Sequence, residues 1–304
     1  LSAGDVLVKS SNIGAIQIGL KVGQGRLLEY VRRFGFGERA KLPLPAESGG
    51  RVRDLSRWGK TSIGSVAMGH EISATTLQLA QACAAIANGG LLVKPRLLLR
   101  RQESGGKPVS EPVEPPRRVL KPETAILMRQ LMEGVVLRGT GRRARLDGYS
   151  SGGKTGTAQI YDPVTGRYTG RYNGSFVGFA PVGNPAVVVA VTLNGVREYG
   201  GIVAAPVFRQ VATETLLLME VPKDLPEPQP HPAREAVVAD DLAIAEFSVP
   251  PEDLPALPLP AQVAVAAALP APPPAPPAGD SAAPALPGSH TPAFTGKTLR
   301  TVLE

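Results

Sequence analysis

Proline is distributed very unevenly along this chain, and its distribution limits which part can form a compact fold. Nineteen of the 31 prolines lie between Pro222 and Pro292, in a segment that includes the run APPPAPPA. Chain rich in proline and alanine favours extended, solvated conformations over a packed core. We therefore predict a folded region at 1–222, a disordered linker at 223–290 and a return to ordinary globular composition at 291–304.

The charge changes sign at the same boundary. The residues before Pro222 include 29 basic and 16 acidic side chains, a net charge of +13, whereas the remainder has 4 basic and 10 acidic side chains, a net charge of −6. A basic folded region suits nucleic acid, an anionic membrane surface or an anionic cell-wall polymer. Because the arginines are scattered without interleaved aromatic residues, nucleic acid is the weakest of these, and we predict no nucleic-acid partner.

The composition argues against a metal site. Cys83 is the single cysteine, and the three histidines at positions 70, 231 and 290 are far apart in the sequence. One thiol excludes an internal disulfide, and dispersed histidines do not form a ligand cluster, so we predict no cofactor. The chain starts at Leu1 without an initiator methionine and stops at Glu304, and we expect it to be truncated at both ends.

The folded region begins with helical periodicity. A helix is predicted to begin at or near Ser10–Asn12, because apolar residues follow at i, i+3 and i+7, namely Ile13, Ile16 and Leu20. Further helices are predicted at 27–34, at 122–137, at 205–219, and after a cap at Thr75 or Thr76. The helix at 205–219 has Pro206 in its first turn, a position where proline is tolerated.

Strands are predicted between the last two helices, where the periodicity changes. They lie at 153–160, 175–181 and 186–193, and the tight turn Val182–Pro185 joins the last two as a hairpin. The last strand, AVVVAVTL, is continuously apolar, which suits a strand that is covered on both faces. Helices, an antiparallel meander and a terminal helix together predict a layered α/β or α+β domain.

The sharpest local motif is GGKTGTAQ at 152–159, on the first predicted strand. Residues two apart on a strand share a face, so Thr155 and Thr157 would present two hydroxyls to one ligand. Gly156 would let the strand backbone come close, and the ammonium of Lys154 would attract an anion. This combination suits a carboxylate. The competing interpretation is a solvent-facing edge strand.

A Ser-x-Asn triplet at Ser10–Asn12 is weaker by itself, because most such triplets form a turn or a helix cap. Its meaning changes when a Lys-Thr-Gly follows further along the chain, at Lys154–Gly156. Penicillin-recognising serine enzymes join a Ser-x-x-Lys nucleophile to a Ser-x-Asn and a Lys-Thr/Ser-Gly. The sequence therefore has the second and third of these motifs in the right order.

The similarity extends over residues 4–221. The chain resembles class B penicillin-binding proteins of the septal division or spore type in the segments KSSNIGAIQIGLKVG, LSRWGKTSIGSVAMGHEIS, LQLAQACAAIANGG, GYSSGGKTGTAQIYDPVTGRY and NGSFVGFAPVGNPAVVVAV. This resemblance implies the penicillin-binding transpeptidase fold, also found in serine β-lactamases, in which helices pack on an antiparallel sheet of five strands. We expect the two N-terminal strands to be missing, which would leave an apolar edge at 186–193.

The resemblance implies a peptidoglycan D,D-transpeptidase, in which a serine attacks the D-Ala-D-Ala bond of a stem peptide and a second stem accepts the acyl group. Ser10 would relay a proton to the leaving nitrogen, and Asn12 would orient the substrate amide. Lys154, Thr155 and Thr157 would hold the terminal carboxylate, with the Thr157 N–H as half of the oxyanion hole. Because β-lactams mimic this terminus, penicillin binding is also implied.

The family's Ser-x-x-Lys nucleophile should lie several tens of residues upstream of Ser10. Two strings have its spelling, Ser104–Lys107 and Ser151–Lys154, but the first is in a polar loop and the second runs into the Lys154 strand. Neither is predicted to begin a buried helix that could aim a serine and a lysine together. We therefore expect the parent protein to be acylated by penicillin and this chain alone to be inactive.

The resemblance also implies a location and partners. Family members act on the outer face of the bacterial cytoplasmic membrane, and their N-terminal anchor would lie upstream of Leu1. Division or elongation proteins are implied as partners, in addition to stem peptides and β-lactams. The tail PAFTGKTLRTVLE at 292–304 resembles the start of a PASTA module.

Two other classes of function remain open on the sequence alone. A serine β-lactamase or β-lactam sensor shares both motifs, but neither normally has a proline-rich linker and a PASTA-like tail. A non-catalytic wall-binding scaffold fits a chain without a nucleophile, because the carboxylate strand could then only bind. The upstream sequence distinguishes these classes, since a Ser-x-x-Lys at a helix start indicates an enzyme.

Overall fold

The computed structural model describes residues 1–43 and 45–226. The α-helices in these ranges are α1 (Ala3–Val8), α2 (Asn12–Val22), α3 (Gln24–Arg33), α4 (Ser62–Ala67), α5 (Thr76–Ala87), α6 (Pro122–Arg138) and α7 (Gly200–Leu218). The strands are β1 (Leu91–Leu92), β2 (Arg100–Arg101), β3 (Val109–Ser110), β4 (Arg117–Arg118), β5 (Gly152–Asp162), β6 (Arg167–Ala180) and β7 (Val187–Val196). The three long strands form one sheet, and the short ones pair as β1–β4 and β2–β3.

The main sheet is an antiparallel meander in the order β5–β6–β7. The predicted hairpin between the last two strands is confirmed, with Ala180 paired to Val187 at its closed end. The strand β5 ends later than predicted, at Asp162, and β6 begins earlier than predicted, at Arg167. Between them Asp162 accepts hydrogen bonds from Val164 N at 2.9 Å and Thr165 Oγ1 at 2.8 Å. This local turn closes a second hairpin between β5 and β6.

The strand β7 is covered on both faces, as its apolar sequence predicts. Its odd-numbered valines, from Val187 to Val191, pack in a core with Phe208 of α7. Val188 packs on the opposite face with Cys83 of α5 and Met132 of α6. The sheet therefore lies between α7 on one side and α5 and α6 on the other, and β5 forms one of its edges.

The predicted helix near Ser10–Asn12 is confirmed as α2, but two of the three apolar residues in its predicted stripe are exposed. Ile13 and Leu20 are 71% and 59% exposed. The close contact is made instead by Gly19, because a Cβ at that position would lie 2.7 Å from the Cβ of Ala67 in α4. A glycine thus brings two helix backbones together where apolar periodicity predicts large side chains.

The helices α3, α5 and α6 agree with their predicted positions to within a few residues. Thr75 is the N-cap of α5 and forms a capping box with Gln78. The apolar residues of α6 are not all buried. Ile126 and Leu127 are exposed, whereas Val135 and Met132 are buried.

The last helix was predicted to begin at Ala205, which is wrong, because α7 begins at Gly200 and contains Pro206 in its interior. Paired glycines normally indicate a break in a helix. Here they allow close packing, because a Cβ on Gly200 would lie 2.2 Å from the Gly156 carbonyl oxygen. By length and composition α7 could span a membrane, but Phe208 and neighbouring residues on one face are buried against the sheet.

The described fold continues past Pro222. Asp224 accepts a hydrogen bond from Ser150 N at 2.7 Å and a second bond from the Ser150 hydroxyl. Leu225 N donates to Gly148 O at 3.1 Å. These bonds hold the exit of α7 against the segment that leads into β5. Most of the predicted linker at 223–290 and the PASTA-like tail at 291–304 lie outside the described residues.

Candidate active site

Lys154 lies on the edge strand β5, opposite Val177 of β6. Its side chain is half-buried, and its Nζ donates to Ser10 Oγ at 2.7 Å and to Thr155 O at 2.9 Å. A longer contact of 3.4 Å joins Nζ to Thr155 Oγ1. The structure therefore brings together the two motifs that the sequence keeps 144 positions apart.

Ser10 lies in the short connection between α1 and α2, with a φ of 54°. This left-handed conformation is uncommon for a residue other than glycine. The helix cap is formed by the next residue, because Ser11 accepts a hydrogen bond from Gly14 N at 3.2 Å. The hydroxyl of Ser10 is therefore not used as the helix cap and accepts the hydrogen bond from Lys154. Asn12 is exposed at the first position of α2.

Burial lowers the pKa of Lys154 from 10.5 to about 8. The cause is desolvation, which disfavours the charged ammonium relative to the neutral amine. The side chain therefore stays mainly protonated at neutral pH and can attract an anion. It also loses a proton more readily than an ordinary lysine, which suits proton transfer with the neighbouring Ser10 hydroxyl.

The hydroxyls of Thr155 and Thr157 lie on the side of the sheet that α7 covers, and each already has a partner within the protein. Thr157 Oγ1 accepts a hydrogen bond from Gly200 N at 3.0 Å. Thr155 Oγ1 lies 2.8 Å from Thr140 Oγ1. Because the N–H of Gly200 can only donate, the Thr157 hydroxyl keeps its own proton available for a ligand.

The N-terminus of α7 borders the site. The first N–H groups of a helix have no partner within the helix, and they form the positive end of its dipole. Gly200 supplies one of these groups to Thr157, and its lack of a side chain allows the helix end to approach Gly156. Together with Lys154, this helix end makes the edge of β5 electropositive.

As predicted, neither of the two Ser-x-x-Lys sequences begins a helix. Ser104 lies in an exposed turn between β2 and β3. Ser151 is buried and donates to Ala144 O at 3.2 Å, immediately before β5. Neither serine therefore lies at the start of a buried helix.

Thr140 reaches the site although no motif in the sequence indicates it. It lies between Gly139 and Gly141, directly after the end of α6. A glycine-flanked residue at this place in the sequence would predict only a helix end. Its contact with Thr155 depends on tertiary packing, since 15 positions separate the two residues. Only the folded chain reveals it.

Residues 1–213 match the family model described as the penicillin binding protein transpeptidase domain. The chain is 34% identical to the penicillin-binding protein PbpB of Mycolicibacterium smegmatis, over 74% of this chain and 36% of that protein. It is also 34% identical to PenA of Neisseria flavescens, named a probable peptidoglycan D,D-transpeptidase, over 73% of this chain and 54% of that protein. The chain thus spans about a third to a half of the length of these relatives.

A solved structure is similar over the same region. Penicillin binding protein 3 of Mycobacterium tuberculosis, in complex with ampicillin, matches with a TM-score of 0.69 and 33% sequence identity. The match covers 76% of this chain and 53% of that chain. The layered helix and sheet arrangement described above is therefore similar to that of a protein that binds a β-lactam.

Proposed function

This chain belongs to the penicillin-binding protein transpeptidase family, class B, and we propose that it forms part of a peptidoglycan D,D-transpeptidase. The observation that carries this proposal is the 2.7 Å contact between Lys154 Nζ and Ser10 Oγ. It joins a titratable ammonium to a hydroxyl beside a strand edge, which is the arrangement that acyl transfer to and from a serine requires.

The proposed substrate is a stem peptide that ends in D-Ala-D-Ala. Its terminal carboxylate would lie beside Lys154, where the ammonium attracts it and the hydroxyls of Thr155 and Thr157 donate to it. Gly156 lies between them, and a side chain there is disfavoured by β6, because a Cβ on Gly156 would lie 2.4 Å from the Ser175 hydroxyl oxygen. The N-terminus of α7 adds a favourable potential for the same negative charge.

In the proposed reaction a serine hydroxyl adds to the carbonyl carbon of the penultimate D-Ala. We assign that serine to no described residue of this chain. Its proton passes through the Ser10–Lys154 pair to the nitrogen of the terminal D-Ala as the C–N bond breaks. An amine of a second stem then attacks the acyl ester, and its proton returns through the same pair to the serine oxygen.

Two further groups complete the proposed site. The N–H of Thr157 would donate to the carbonyl oxygen that becomes negative in the tetrahedral intermediate, since β5 is an edge strand with backbone groups free on one side. Asn12, exposed on the first turn of α2, would hold the substrate amide. Both groups lie on segments that also carry Lys154 or Ser10, so their positions are linked.

We also propose that the protein binds β-lactams, because these compounds carry a carboxylate and an acyl group in the positions of D-Ala-D-Ala. The proposed location is the outer face of the bacterial cytoplasmic membrane, where peptidoglycan stems are available. Division or elongation proteins are the proposed partners there. A PASTA module beginning at 291–304, after a linker at 223–290, remains part of this proposal.

A fluorescent penicillin tests the proposed function on the full-length protein. We expect a covalent label that persists and that is suppressed by prior incubation with unlabelled penicillin. We also expect release of D-Ala from a pentapeptide stem when an amine acceptor is present. Absence of any label would contradict the proposal, and rapid release of hydrolysed penicillin would indicate a β-lactamase instead.

A further inference from the structure

We infer that Thr140 is a positioning residue for the carboxylate site, where it directs the hydroxyl proton of Thr155 toward the ligand. The inference rests on the proposed function, because it concerns the same carboxylate. It starts from the 2.8 Å contact between Thr140 Oγ1 and Thr155 Oγ1, in which geometry alone allows either hydroxyl to be the donor.

The direction of this hydrogen bond decides whether Thr155 can serve a carboxylate. A threonine hydroxyl has one proton to donate and two lone pairs that accept. A carboxylate only accepts, so Thr155 can bind it only with its own proton. Thr140 must then donate to Thr155, and the proton of Thr155 is left for the ligand.

Lys154 is compatible with the same direction. Its ammonium has donors and no acceptor, so its 3.4 Å contact with Thr155 Oγ1 uses acceptor capacity of that oxygen. When Thr140 also donates, both lone pairs of Thr155 Oγ1 are occupied and its hydroxyl has a single remaining orientation for its proton. The hydroxyl is thereby preorganised to donate at the open side of the site.

The loop that carries Thr140 is fixed by close contacts on both sides. A Cβ on Gly139 would lie 2.3 Å from Val8 O, at the end of the helix that precedes Ser10. A Cβ on Gly141 would lie 3.1 Å from the ring of Phe176 in β6. The Thr140 backbone itself lies beneath α7, because a Cβ on Gly201 would lie 2.5 Å from Thr140 O.

Thr140 therefore lies where three segments of the site meet, namely the Ser10 connection, the strand β5 and the N-terminus of α7. Its hydroxyl contacts Thr155, so we expect its effect on the ligand to pass through that residue. A residue that acts in this way should alter affinity for the carboxylate more than the rate of the acyl-transfer step.

The test compares Thr140→Val and Thr140→Ser in the full-length protein. Acylation by a penicillin and by its methyl ester is measured at several ligand concentrations, which separates ligand affinity from the limiting acylation rate. Thr76→Val is the matched control, because Thr76 Oγ1 donates to Thr192 Oγ1 at 3.1 Å in a similar hydroxyl pair elsewhere. Melting temperatures are recorded for all variants.

We expect Thr140→Val to weaken the affinity for the penicillin acid about 3- to 10-fold, the effect of one lost hydrogen bond. The limiting acylation rate should stay within about twofold, and the preference for acid over ester should fall. Thr140→Ser should restore the wild-type preference, and Thr76→Val should not alter it. Equal losses for acid and ester, or no loss at all, would overturn the inference.

Failure of the proposed function can be separated from failure of this inference. If the wild-type protein were not acylated, binding of acetate would be followed by NMR in the wild type and in Thr140→Val. A weaker affinity in Thr140→Val would support the positioning role without any acyl transfer. Equal affinities would overturn it.

Discussion

The ammonium of Lys154 donates a 2.7 Å hydrogen bond to the hydroxyl of Ser10, across 144 positions of sequence. The bond joins the edge strand of the sheet to the connection between the first two helices. Both partners have unusual local states, since Ser10 has a left-handed backbone and burial lowers the pKa of Lys154. Residues held in sparsely populated conformations are often found at functional sites.

Neighbouring serines allow a sharp test of the proton relay. Ser10→Ala removes the hydroxyl that contacts Lys154, and we expect acylation of the full-length protein to slow by about 10²- to 10⁴-fold. Ser11→Ala removes the cap of α2 and should cost about 0.5–2 kcal/mol of stability instead. Acylation rates and urea denaturation of both variants check this. Equal acylation rates in the two variants would argue against a relay at Ser10.

The lowered pKa of Lys154 predicts a pH limit for acylation. The protonated ammonium attracts the carboxylate, so the second-order acylation rate should fall as the pH rises through about 8. An ordinary lysine would maintain the rate to about pH 10. In Lys154→Arg the guanidinium stays charged, and this limb should disappear even if the overall rate is lower. An acylation rate that stays constant from pH 7 to pH 10 in the wild type would contradict the role of the Lys154 ammonium in attracting the carboxylate.

At the close contact between α7 and β5, we expect the addition of a single methyl group to lower the stability of the protein severely. A Cβ on Gly200 would lie 2.2 Å from Gly156 O, so Gly200→Ala must displace the helix end or the strand. We expect the free energy of unfolding to fall by about 3 kcal/mol or more. Gly183→Ala is the control, because no atom lies within 4 Å of its Cβ position, and it should change stability by less than about 0.5 kcal/mol. Similar melting temperatures for the two variants would contradict the tight packing at Gly200.

A buried glutamine is predicted to stabilise the loops beside α5. Gln78 Nε2 lies within hydrogen-bonding distance of the carbonyl oxygens of Glu38 at 2.9 Å, Gly49 at 2.8 Å and Gly35 at 3.3 Å. We expect Gln78→Ala to cost about 3 kcal/mol, because it leaves several buried acceptors without a donor. Gln81→Ala removes one exposed bond to Val93 O and should cost less than about 1 kcal/mol. Denaturant midpoints check the difference, and a small loss in Gln78→Ala would show that water replaces the amide.

The elements that the sequence predicts well are those set by local pattern. The apolar run in β7, the capping residues at Thr75 and Gln78, and the turn before Val187 are each encoded within a few residues. Local pattern also places Lys154 on a strand. It does not determine which other segment of the chain lies beside that strand.

The features that the sequence predicts wrongly, or does not predict, depend on contacts between distant segments. Gly200 and Gly201 look like a helix break until β5 and Thr140 are placed beside them. Gly19 makes the close contact of α2, so the larger Ile13 and Leu20 remain exposed. Thr140 has no recognisable motif, because it lies in the loop after α6 and contacts a hydroxyl on the strand β5. In each case a small residue or a single polar atom determines the packing, and hydrophobic periodicity does not register it.

The acylation rate of Lys154→Ala, measured by intact mass spectrometry with penicillin on the full-length protein, tests the central claim most directly. We expect the wild type to gain the mass of one penicillin, and peptide mapping should place it on a serine outside residues 1–43 and 45–226. In Lys154→Ala the second-order rate should fall by at least about 100-fold, while the melting temperature stays close to that of the wild type. An unmodified wild type, or a Lys154→Ala variant acylated at the wild-type rate, would contradict the account.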